Sequence, residues 1–230
     1  MTNIPYSGET REIGLVRVMT LEKQELVDQQ GKLIESLFPS IKVTSRCIED
    51  QPRGIYDAET EEIAEPKIVK IAKELEREGA EVVIISCAAD PALGMARDEL
   101  KIPVIGAGSA TAAVALNLGQ SVGVIGIGEA VPEAMAGILG DRLLGYEKIE
   151  GAKTALDLHL EGAKERVLQA ARDLAANNKV EVIAFACAGL STLDVDDPVE
   201  KEFCVYTVNP VIASGIQALY ALIRKGIGGR

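Results

Sequence analysis

Two cysteines stand at matched places, 100 residues apart: Cys87 in Ser86-Cys87-Ala88-Ala89-Asp90-Pro91 and Cys187 in Ala186-Cys187-Ala188-Gly189. Each follows an apolar run, Val82-Val83-Ile84-Ile85 before the first and Val182-Ile183-Ala184-Phe185 before the second. Such runs predict strands buried on both faces. A thiol at the end of such a strand lies at the carboxyl edge of a parallel sheet, where open α/β folds hold their ligands. Asp90-Pro91 reads as an N-cap with proline at the first helical position. A thiol beside such a helix start is expected to ionise below its usual pKa of about 8.5.

Two thiols facing one carbon suit a particular reaction. One removes a proton from a stereocentre next to a carbonyl, and the other returns a proton to the opposite face. Each base must reach its own face, so the two must come from separate walls. The developing enolate needs donors, and the turns Ala88-Ala89 and Ala188-Gly189 offer backbone N–H groups. Ser109, Ser191 and Thr192 add hydroxyls that serve equally well as helix caps. Cys47 and Cys204 lack small residues opening a helix and read as core packing.

The elements that carry these residues repeat. Strands are expected near 13–18, 41–47, 82–85 and 102–105, then again near 121–127, 145–149, 181–186 and 203–208. Helices are expected near 22–37, 58–78, from Asp90-Pro91 onward, and at 109–118, 131–139, 161–177 and 210–224. Alternating β and α elements argue for parallel sheets with right-handed crossovers. The fold class is α/β: two pseudo-symmetric flavodoxin-like lobes, each a parallel four-stranded sheet flanked by helices, with the active site in the cleft between them. The first lobe is expected to comprise residues 1–107 plus 210–230 and the second 108–209. The loop 49–57 is rich in breakers yet carries Ile55 and Tyr56, so it either folds over the site or is pinned to the body.

The paired cysteine motifs, with Ile102-Pro103-Val104-Ile105-Gly106 between them, resemble the Asp/Glu/hydantoin racemase family across nearly the whole chain. The resemblance implies racemisation without a cofactor by a two-cysteine mechanism, and Cys87 and Cys187 match the family's two catalytic positions. The Asp90-Pro91 pair is similar to the hydantoin and allantoin branch, whereas amino-acid racemases of the family usually carry Asn-Thr where this chain has Ala88-Ala89. Two departures bear on the substrate. Hydantoin-type members often have Asn-Pro-Asn leaving the first strand, where this chain has Arg17-Val18-Met19-Thr20. They also tend to have Glu after the Gly-x-Gly, where Ser109 stands here. Both positions face the cleft in the family, which implies substrate contacts for Arg17, Thr20 and Ser109 and a different ring or an open-chain acid as substrate. Substrate contacts are likewise expected from Ala88, Ala89, Asp90, Ala188, Gly189, Ser191, Thr192 and Tyr56.

Composition narrows the alternatives. A net charge of −11 repels phosphate backbones and anionic lipid, and 3% aromatic residues with no Trp leave few stacking platforms. The partner expected is a small molecule, with no nucleic acid and no membrane, in a cytoplasmic homo-oligomer. Thr2 to Glu12 is polar and reads as no leader, and no apolar run approaches the ~20 residues of a membrane span. The four cysteines include no C-x-x-C pair and are expected to be reduced. Gly123 to Gly128 lacks the G-x-G-x-x-G spacing and reads as close strand–helix packing, while His159 reads as a structural or surface residue. Decarboxylation or cis–trans isomerisation on the same fold, an aspartate/glutamate-type racemase, and a two-lobed binding protein remain the competing readings.

Overall fold

The computed structural model describes residues 10–177 and 179–228. Residues 1–9 and 229–230, which the expected first lobe includes and which hold most of the polar Thr2 to Glu12 stretch, lie outside the described residues.

Eight strands form two sheets. β1 (Arg11–Arg17), β2 (Ile41–Cys47), β3 (Val82–Ser86) and β4 (Val104–Gly106) lie in the order β2-β1-β3-β4. β5 (Val122–Gly126), β6 (Leu143–Lys148), β7 (Val182–Phe185) and β8 (Tyr206–Val208) lie in the order β6-β5-β7-β8. Every pairing is parallel, so the second sheet repeats the first strand for strand. The central strands β3, β5 and β7 are buried along their whole length, as their continuous apolar sequences require.

The helices are α1 (Gln24–Leu37), α2 (Ala58–Arg77), α3 (Leu93–Glu99), α4 (Ala107–Leu118), α5 (Glu133–Leu139), α6 (Ala163–Asn177), α7 (Asp196–Phe203) and α8 (Pro210–Gly228). α2 starts where the Asp57 side chain accepts from the Thr60 N–H at 2.9 Å, and it buries Ile68, Ile71, Ala72 and Leu75 against Val16, Val83 and Ile85. Two helices cross over between the sheets. α4 follows β4 of the first sheet, yet its Ala110, Ala112 and Ala115 pack with Val122, Val124, Val182 and Ala184 of the second. α8 follows β8 of the second sheet, yet Val211, Ala218 and Leu222 pack with Ile13, Leu15, Val82 and Ile84 of the first.

The structure departs from the sequence reading in several places. α7 and the 3-10 turns Ala155–His159 and Ala188–Thr192 were not expected. The helix after Cys87 begins at Leu93 rather than at Asp90-Pro91, and Asp90 and Ala92 both take φ of 55°, in the left-handed region. Asp90 serves a helix start all the same, but from outside it and for another helix, whose N-cap residue is Gly106. Its carboxylate accepts from the N–H of Gly108 at 2.7 Å, from the N–H of Ser109 at 2.8 Å and from the Ser109 hydroxyl, closing the first turn of α4. Cys204 is exposed at the end of α7 with φ of 54°, so it takes no part in the core. The Gly123 segment, by contrast, is a packing contact as expected: a Cβ there would meet Leu174 Cδ2 at 2.5 Å.

Candidate active site

Both cysteines emerge at the carboxyl ends of their strands, Cys87 after β3 and Cys187 after β7. The turn carrying Cys87 is locked against the start of α4. Asp90 caps that helix, and Gly106 and Gly108 leave the space it needs: a Cβ on Gly106 would fall 2.4 Å from Asp90 Cγ, and one on Gly108 only 2.0 Å from the Ala88 carbonyl oxygen. The turn carrying Cys187 winds directly into the 3-10 turn Ala188–Thr192. Within these turns the Asp90 N–H donates to the Cys87 carbonyl at 3.1 Å and the Leu190 N–H to the Cys187 carbonyl at 3.0 Å.

Between the two turns lies a cavity of about 390 Å³ whose wall includes both Cys87 and Cys187. Four of the small turn residues expected at the site, Ala88, Ala89, Ala188 and Gly189, line it. So do Arg17, Tyr56 and Thr192. His159, read from sequence as structural or surface, also reaches this wall from the 3-10 turn Ala155–His159. Tyr56 stands at the rim with the Arg53 guanidinium 4.6 Å over its ring, so the 49–57 loop does reach the cavity.

Four expected contacts lie elsewhere. Asp90 and Ser109 are spent on each other and on the α4 N-terminus. The Thr20 hydroxyl donates to the Ile48 carbonyl at 2.8 Å and accepts from the Gln51 N–H, which ties the 49–57 loop to the end of β1. Ser191 is buried with its hydroxyl unpartnered and opens onto a second hollow, near Asp196 and Asn209.

One residue of the site went unread in the sequence. Gln30, 2% exposed on α1, donates through Nε2 to the Ala188 carbonyl at 2.8 Å and accepts through Oε1 from the Ser86 hydroxyl at 2.7 Å. It therefore joins the residue before one cysteine to the residue after the other. The signal was present: Val27, Gln30, Gly31 and Ile34 form the buried i, i+3, i+4, i+7 stripe of α1, and Gln30 is its one polar member with hydrogen-bonding capacity.

The electrostatics overturn the expectation of easily ionised thiols. Burial pushes the Cys87 thiol up to about 12, and the N–H of Ala89 directed at the sulfur recovers only part of that. The neighbouring charges of Cys187, Asp90 and Glu61 push it the same way. Burial also raises Cys187, but there the N–H groups of Gly189 and Leu190 and the Arg17 guanidinium all favour the thiolate. Arg17 itself is pulled down from its ordinary value by burial, with Cys47 and Cys187 as the opposing influences. The influences on the two sulfurs thus differ in kind: burial raises both, a cation favours the thiolate at Cys187, and the charges near Cys87 all oppose it there.

All four cysteines are free thiols. Among the described residues no group of three or more His, Cys, Asp or Glu side chains could hold a metal ion, and no helix is long and apolar enough to cross a membrane.

Residues 24–218 match the family model described as Asp/Glu/Hydantoin racemase. The chain is 28% identical to the hydantoin racemase of Rhizobium meliloti over 186 residues, which covers 77% of this chain and 74% of that protein. In fold it is similar to the allantoin racemase from Klebsiella pneumoniae, with a TM-score of 0.82 at 18% identity over 92% of this chain and 87% of that one. The allantoin racemase from Pseudomonas fluorescens gives a TM-score of 0.79 at 19% identity, covering 94% and 92%.

Proposed function

The chain belongs to the Asp/Glu/hydantoin racemase family, and from that premise we propose a two-base, cofactor-independent racemase acting at a stereocentre next to a carbonyl, with a 5-substituted hydantoin or a related compound as substrate. Cys87 and Cys187 are the two bases. In one direction the Cys187 thiolate takes the α-proton and becomes a thiol, while the C–H electron pair moves onto the carbonyl oxygen as an enolate. The Cys87 thiol then gives its proton to the opposite face of the carbon and is left as the thiolate. The enantiomer is released with both sulfurs in exchanged protonation states, and the reverse reaction restores them.

A single observation carries this reading: two thiols from equivalent strand ends of two matching sheets share the wall of one cavity. Burial holds both sulfurs toward the protonated form, and the Arg17 guanidinium is a neighbouring charge that favours the thiolate at Cys187. The mainly apolar cavity around them would keep water from competing for the enolate. Polarimetry on resolved hydantoins and allantoin, with aspartate and glutamate as comparators, tests it directly. Rotation should decay to zero for at least one ring substrate and stay constant in both cysteine variants.

A further inference from the structure

Arg17 is a buried cation with more than half its hydrogen-bonding capacity unused among the described residues. It is 9% exposed at the end of β1, between Cys47 of β2 and Ser86 of β3 in the sheet register, and it lines the cavity. Its Nη1 is committed, donating to the carbonyls of Leu26 at 2.8 Å and Val27 at 3.1 Å. Those two bonds leave the other edge of the guanidinium, Nε–H and Nη2–H, without a partner among the described residues. That edge is the one a carboxylate takes side-on. Arg11 shows the arrangement in this same sheet, with Nε at 2.6 Å and Nη2 at 2.5 Å from the two oxygens of Glu81.

Among the described residues no carboxylate pairs with Arg17, and the charges acting on it are those of the Cys47 and Cys187 sulfurs. A buried cation whose fork meets no carboxylate is costly and is kept where a partner arrives from outside. Arginine stays protonated throughout the ordinary pH range, so the charge is permanent. Resting on the racemase reading above, we infer that Arg17 selects a substrate bearing a carboxylate, whose two oxygens take the free Nε/Nη2 edge while the reacting carbon lies between the cysteines. The compound racemised is then an anionic hydantoin or an open-chain acid, and neutral analogues of the same shape are poor substrates.

The test compares probes that differ in charge alone: hydantoin-5-acetate against hydantoin-5-acetamide, and hydantoin-5-propionate against hydantoin-5-propionamide. In the unmodified protein, kcat/KM should favour the carboxylate of at least one pair by about tenfold or more, the discrimination that a charge-assisted pair supports. Arg17→Met should bring that ratio to near one, and Arg17→Lys, which keeps the charge and loses the fork, should fall between. If Arg17 only offsets the charge of Cys187, Arg17→Met slows both members of a pair equally, the ratio stands, and the inference is overturned. Should Arg17→Met fail to fold, equal rates for both members of each pair in the unmodified protein overturn it as well. Calorimetric binding to the Cys87→Ser/Cys187→Ser double variant separates this inference from the racemase reading. Carboxylate-selective binding with no α-proton exchange by the unmodified protein would defeat racemisation and leave Arg17 its role. Exchange without charge selectivity, or no binding of either carboxylate, would do the opposite.

Discussion

Gln30 donates a 2.8 Å hydrogen bond to the carbonyl of Ala188, although the two residues lie on different sides of the cavity and 158 positions apart in sequence. Its other terminal atom accepts from Ser86, so one amide sets the spacing of two turns that each carry a thiol. Replacing Gln30 by Met, of similar volume, should leave the Ala188 carbonyl and the Ser86 hydroxyl buried and unpaired. The unfolding free energy is expected to fall by about 1–3 kcal/mol in denaturant titration. As a positioning residue, Gln30 should affect kcat more than KM, and Ser86→Ala, which breaks one link, should reproduce only part of the loss.

Serine at either cysteine removes one base. Racemisation should drop by at least ~10²-fold in Cys87→Ser and in Cys187→Ser, the contribution general acid–base catalysis makes. In heavy water each single variant should still exchange the α-proton of one enantiomer, and the two variants should keep opposite ones. Proton NMR of resolved substrate reads this directly; loss of exchange for both enantiomers in both variants would contradict separate one-face roles.

Arg17 and the N–H groups of Gly189 and Leu190 favour the thiolate at Cys187, whereas Asp90 and Glu61 oppose it at Cys87. Removing that cation with Arg17→Met should therefore slow iodoacetamide alkylation of Cys187 more than that of Cys87, as followed by peptide mass spectrometry.

Stability should also respond to alkali. The Cys87 thiol, pushed up to about 12, keeps its proton in the folded protein over a range where the unfolded chain, titrating near the ordinary cysteine value of 9.0, has lost it. The native state then binds more protons than the unfolded state, so stability falls as pH rises through that window. Urea midpoints between pH 9 and 11 should decline less steeply in Cys87→Ala than in the unmodified protein.

Gly108 permits a contact that no other residue would. A Cβ there would fall 2.0 Å from the Ala88 carbonyl oxygen, which is backbone and cannot step aside. Gly108→Ala should lift the start of α4 off the Cys87 turn and break the Asp90 cap. A loss of about 2 kcal/mol or more is expected, with activity falling alongside.

Much of this arrangement was legible in the chain. Val82 to Ile85 and Val182 to Phe185 announced buried parallel strands because burial on both faces demands continuous apolar sequence. The repeat of strand, cysteine and small residues announced two matching sheets. What stayed hidden depended on contacts remote in sequence. Asp90 looked like the cap of the helix that follows it, since local chemistry alone cannot show that Gly108 and Ser109 would be brought beneath its carboxylate. The thiols looked acidic because proximity to backbone N–H groups can be read from a motif, while the burial that outweighs them cannot. Short α7 was missed because Asp196-Asp197-Pro198 reads equally well as a turn.

The trade of α4 and α8 between the two sheets makes each depend on the other for its covering helix. Neither half of the gene encodes a self-sufficient body, because each would lack the helix that seals its own sheet and would carry a stray one belonging to its twin. Cutting the chain next to Gly106 or Asn209 should accordingly leave an apolar sheet face bare on each fragment.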